Sequence, residues 1–130
     1  MPKLFRLESK EFSKVDNEWQ WTYICQFNFT FKRRIIEKIT ITNHYQQEHP
    51  TISNELILNI LKAKINGIKR MRVDKKYGNR DIFVRRKIPF DGKKYKLIFW
   101  FKDHTNNHLW IRNCHEQDYK FGFFSETSLK

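Results

Sequence analysis

The stretch DIFVRRKIPFDGKKYKLIFWF, residues 81–101, decides the fold. Asp91-Gly92 is a two-residue turn signal between two runs that alternate apolar and polar side chains, the pattern of a β-hairpin. A turn at Asp91-Gly92 sets Phe90 opposite Lys93, Ile88 opposite Tyr95, Val84 opposite Phe99 and Ile82 opposite Phe101. Strict alternation then puts Ile82, Val84, Arg86, Ile88, Tyr95, Leu97, Phe99 and Phe101 on a core face, with Arg86 the exception. The opposite face carries Phe83, Arg85, Lys87, Lys96, Ile98 and Trp100.

Downstream, the loop Asp103–Asn107 returns the chain into a further strand, with Leu109 and Ile111 facing the core and Trp110 and Arg112 facing away. Upstream, odd positions from Trp19 to Phe31 are Trp, Trp, Tyr, Cys, Phe, Phe and Phe, which reads as one long strand with a buried face. The charged link Lys32-Arg33-Arg34 leads to a second strand over Glu37–Asn43, with Ile39 and Ile41 on one face. Ser53 or Asn54 caps a helix whose Leu56, Ile57, Ile60, Leu61 and Ile65 form one stripe, and Gly67 stops it. Lys69–Arg80 is basic and aperiodic, a loop or frayed helix extension. The fold expected is α+β, a mainly antiparallel sheet with one principal helix packed on one face and a basic-aromatic open face. One domain spans residues 1–130: an N-terminal segment 1–18, a core 19–115, and a tail 116–130 whose Phe121, Phe123 and Phe124 cover an edge.

Between Lys62 and Lys96 stand 14 Lys or Arg residues and only three carboxylates, so this segment carries +11 of a formal net charge of +12. Charge so concentrated suits a phosphate backbone, whose condensed counterions are released when Lys and Arg replace them. Cys25 and Cys114 make at most one pair, which is no disulfide framework, and reduced thiols in a cytoplasmic protein are expected. No apolar run has the length of a membrane span and the start lacks a secretory core, so no membrane partner is expected. The sequence points to no cofactor and no metal: His104 and His108 are four apart, but the intervening Thr-Asn-Asn reads as turn.

The open face interleaves cations with flat rings, so phosphates and unpaired bases are its natural ligands. Lys69, Arg70, Arg72, Lys75, Lys76, Arg80, Lys87, Lys96, Trp100 and Trp110 are the candidate nucleic-acid contacts. Histidine can add chemistry, since an imidazole near neutral pKa takes a proton from a ribose 2′-OH or returns one to the leaving 5′-oxygen. His44 lies at a strand end before the helix. His115 follows Arg112-Asn113-Cys114 and reaches the open face only if the last strand ends or bulges there. Arg85 and Arg112 would offset charge on the phosphorane-like transition state. Cys114 beside His115 reads as a packing residue rather than a nucleophile.

The run Ile39-Thr40-Ile41-Thr42-Asn43-His44, a polar loop, Ile52-Ser53 opening a helix, a basic link and then a hairpin resembles small toxin domains. These belong to the superfamily grouping RelE- and ParE-like toxins with barnase-like and colicin-type ribonucleases. The ending Leu109-Trp110-Ile111-Arg112-Asn113 is similar to the last strand of such toxins, where a basic residue serves cleavage or target binding. The likeness covers Ile39 to His115, and the aromatic strand before His44 stands where many relatives have helix. It implies a metal-independent endoribonuclease, paired with an antidote protein, with His44, Arg85, Arg112 and His115 at its site. A non-catalytic single-stranded nucleic-acid-binding module is the rival reading, and a basic adaptor for an acidic protein is a third.

Overall fold

Seven strands form one mixed sheet in the order Phe5–Ser13, Glu18–Cys25, Lys38–Thr42, His108–Glu116, Lys93–Phe101, Arg80–Phe90 and Lys75–Tyr77, and a single helix among the described residues packs on one of its faces. The computed structural model describes residues 4–43, 52–78 and 80–117. The strands are β1 (Phe5–Ser13), β2 (Glu18–Cys25), β5 (Lys38–Thr42), β6 (Lys75–Tyr77), β7 (Arg80–Phe90), β8 (Lys93–Phe101) and β9 (His108–Glu116). A separate two-stranded ribbon joins β3 (Thr30–Phe31) to β4 (Arg34–Ile35). Within the sheet β5 and β9 run parallel, and the other neighbours run antiparallel. The architecture is α+β, as the alternation pattern implies.

Helix α1 (Asn54–Ile60) starts at Ser53, whose hydroxyl accepts the Leu56 N–H at 3.1 Å, and continues into one π-helical turn, Leu61–Ile65. Leu61 and Ile65, four apart and so on one helix face, are both buried while Lys62 and Lys64 stay exposed. Ile57, Leu58, Ile60, Leu61 and Ile65 meet Ile39, Ile41, Leu97, Phe99, Leu109 and Ile111 of the sheet in one continuous core.

Three local expectations are overturned. The aromatic strand does not run to Phe31: it ends at Cys25, whose N–H bonds to the Glu37 carbonyl. Phe29 and Phe31 instead turn beneath the sheet and are fully buried, Phe31 sitting edge-on to Phe83 and Phe99. The reversal that follows uses Lys32 and Arg33 in the left-handed region (φ 52° and 65°), so the charged link is a hairpin turn. Trp19, at the other end of the same run, is 39% exposed.

The second correction is in the deciding hairpin. Its turn and the pairs Phe90–Lys93 and Ile88–Tyr95 hold, but the register shifts between Arg85 and Ile88. Arg86 and Lys87 form a bulge, with Lys87 at φ 53° and its N–H donated to the Gln117 side chain at 2.6 Å. Strict alternation would have aimed the Arg86 guanidinium into the core at a large desolvation cost. The bulge removes it, and Arg86 lies exposed against Asp74 at 3.2 Å. Beyond the bulge every side chain changes face. Phe83 pairs with Phe99 and is buried, Arg85 pairs with Leu97 on the helix side, and Val84 pairs with Ile98 on the open side.

Third, the basic link holds the short edge strand β6, paired with β7. The segment before residue 19 also supplies a full strand, β1, on the opposite sheet edge. The tail from residue 118, with Phe121, Phe123 and Phe124, and residues 44–51 lie outside the described residues.

Candidate nucleic-acid interface

The face away from the helix is built by strands whose other side chains are core. Leu109 and Ile111 are buried, so Trp110 between them points outward; Phe99 and Leu97 do the same for Ile98, Lys96 and Trp100. Trp100 and Trp110 are direct cross-strand partners, both half-buried, and so lie side by side.

Arg80 enters from β7, its guanidinium 4.8 Å from the centre of the Trp100 ring. Asp103 holds that guanidinium through two hydrogen bonds. The Arg80 hydrogen bond keeps the Asp103 carboxyl below its ordinary pKa. On the other flank Arg112 bonds at 3.1 Å to Glu18, a carboxylate only 6% exposed. Together with Asp16 and Lys102 these residues line a cleft of about 450 Å³ whose walls include both tryptophans. A guanidinium has five N–H donors, so pairing with a carboxylate orients the group and still leaves donors for a phosphate.

The last strand bulges as well. The register shifts between Ile98–Asn113 and Phe99–Ile111, so Cys114 rather than Asn113 returns to the core. His115 then falls on the open face, opposite Lys96. Arg112 shares that face, but Arg85 does not: it belongs to the helix side, so Arg85 and Arg112 cannot grip one phosphate together. His44, the other candidate base, lies outside the described residues. Lys75, aligned with Ile82, extends the open face to the β6 edge. Lys69, Arg70 and Arg72 are exposed on the link before β6, Lys76 is exposed on β6, and Lys87 is exposed at the bulge.

Reading the sequence weighed His108 only as a metal ligand, Arg34 only as part of a charged link, and gave Glu18 and Asp103 no part in the site. His108 Nε2 lies 2.7 Å from the Thr40 hydroxyl, which lies 2.8 Å from that of Thr22, a polar chain across β9, β5 and β2. Burial, reinforced by Lys102 and Lys38 and opposed by Glu8, lowers the His108 pKa to about 4. In the unfolded chain it titrates near 6.5. Between those values the unfolded state holds a proton that the folded state refuses, so stability falls as pH drops through this window and is unaffected above it. Urea unfolding of wild type and His108→Gln from about pH 7 to about pH 4.5 should show a steeper loss for wild type. Parallel curves would contradict the buried, neutral imidazole. The signal available in the sequence was the alternation His108-Trp110-Arg112, which puts all three on one face.

Burial pushes the thiols of Cys25 and Cys114 up to about 12, so neither supplies a thiolate nucleophile near neutral pH. Among the described residues no three His, Cys, Asp or Glu side chains converge as a metal site, and no helix is long and apolar enough to cross a membrane. The chain matches no protein-family model, no curated protein and no solved structure.

Proposed function

We propose that this is a cytoplasmic domain whose open face binds single-stranded RNA. Trp100 and Trp110 act as a stacking platform, and Arg80, Arg112 and Lys96 neutralise phosphates. The observation that carries this reading is the pair of adjacent half-buried tryptophans on the sheet face away from the helix, flanked by arginines already fixed by Asp103 and Glu18. Aromatic rings favour unpaired bases, because a closed duplex hides its base faces. Affinity for a single-stranded oligonucleotide should fall linearly on a log–log plot against salt, with a slope of about −0.7 per phosphate contacted. A flat plot would remove the proposal.

One observation favours a second reading, the metal-independent endoribonuclease with an acidic antidote protein. The bulge at Arg112-Asn113 puts His115 on the same face as Arg112 and opposite Lys96. A histidine base there would take the ribose 2′-OH proton as that oxygen attacks phosphorus, and the 5′-oxygen would leave with a proton from a general acid. Incubation of wild type and His115→Ala with total RNA in EDTA separates the two readings. New 2′,3′-cyclic phosphate ends that disappear in the variant support the enzyme. Intact RNA that still binds leaves the binding module.

A further inference from the structure

The open-face cleft does not stop at Trp100. A second cleft, about 570 Å³, shares Arg80, Lys102 and Asp103 with it and is completed by Arg34, Asp81, Phe101, His104 and Thr105. The two meet over the turn that joins β8 to β9. The second is paved like the first: the Arg34 guanidinium sits 5.5 Å from the Phe101 ring, as Arg80 sits on Trp100.

Arg34 is brought there by the β3–β4 hairpin, which is pinned at its base, where the Thr30 carbonyl accepts the Gly67 N–H at 2.8 Å, and at its tip. The Lys32 N–H bonds to the Ile68 carbonyl at 2.7 Å, and the Lys32 ammonium bonds to the Met71 carbonyl at 3.0 Å. Phe31 anchors the ribbon in the core. These contacts set Lys32, Arg33 and Arg34 beside the basic link that carries Lys69, Arg70 and Arg72. Two cationic segments far apart in sequence thus become one rim, with Arg33 and Arg34 exposed.

We infer that the β3–β4 hairpin is a second phosphate-binding subsite, and that a bound single strand runs from the Trp100–Trp110 platform over the β8–β9 turn onto Arg34 and Arg33. This rests on the open face binding single-stranded nucleic acid. It adds a polarity of extension: the strand lengthens toward the hairpin, and short strands occupy the platform alone. Such partition is typical of grooves that combine stacking rings with a cationic track, whose sites span about 4–16 nucleotides.

The test uses full-length protein and two uridine oligonucleotides, one of about 4 and one of about 12 nucleotides. Wild type should bind the longer strand more tightly by more than its larger number of registers allows. Arg33→Glu/Arg34→Glu should lower affinity for the longer strand about tenfold or more, because two phosphate contacts become repulsive, and leave the shorter strand nearly unchanged. Arg34→Ala, the milder change, should give part of the same selective loss, and circular dichroism checks that each variant is folded. Unchanged binding of the longer strand, or equal losses on both strands, overturns the hairpin subsite while the platform stands. Failure of wild type to bind either strand overturns the platform and the subsite together.

Discussion

Replacing both platform rings, in Trp100→Ala/Trp110→Ala, should weaken binding to single-stranded RNA by at least tenfold and leave duplex RNA nearly unaffected. Each stacked base is worth about 1–3 kcal/mol by alanine substitution, and about 1.4 kcal/mol is a factor of ten. The two rings are cross-strand partners, so on the proposed reading they would touch neighbouring bases of one strand and their losses need not add. The selectivity follows from geometry rather than charge, since Arg80, Lys96 and Arg112 remain and serve either nucleic acid. A second effect acts through Arg80, whose guanidinium rests on Trp100. Loss of the ring frees it to follow Asp103 alone, so phosphate contact weakens a little for both substrates. Equal losses on single strand and duplex would identify a general loss of order and contradict stacking.

Phe31→Ala should destabilise the domain by about 3–5 kcal/mol, the usual cost of removing a buried Phe, against a total that is about 5–15 kcal/mol for most domains. Phe31 is 0% exposed and makes ring contacts with Phe83, Phe99 and Phe101, three residues from the two strands of the deciding hairpin. Urea unfolding should place Phe31→Ala well below wild type, and Phe12→Ala, at a position 45% exposed on β1, close to it. A loss below about 1 kcal/mol for Phe31→Ala would contradict its place at the centre of the core.

Phe31 and Phe83 also mark what the sequence could and could not disclose. Period-two alternation identifies strands and the Asp91-Gly92 turn fixes a register locally, so β8, β9 and the pairs next to the turn were legible. Helix α1 was legible from its Ser53 cap and apolar stripe. A bulge is set by tertiary demand, however. Arg86 breaks the alternation, and nothing in the local pattern says whether the strand tolerates it or slips by one residue. It slips, which buries Phe83 and carries Arg85 to the helix side. At the other end the same device works in favour of the site, since the bulge at Arg112-Asn113 turns His115 outward. Phe29 and Phe31 continued the rhythm of β2 without belonging to it. The core needed them beneath the sheet, and the hairpin turn at Lys32-Arg33 that permits this is visible only as two positive φ values. The acidic partners Glu18 and Asp103, drawn from β2 and the β8–β9 turn, meet Arg112 and Arg80 only through topology.

The four tryptophans of the chain divide evenly between the two sides of the sheet: Trp100 and Trp110 on the open face, Trp19 and Trp21 on the side of the helix. Ultraviolet cross-linking of single-stranded RNA to the full-length protein, with the linked residues identified by mass spectrometry, therefore reads the binding face directly. The account predicts adducts at Trp100 or Trp110 that vanish at high salt. Adducts confined to Trp19 and Trp21, or none at any ring, would contradict it.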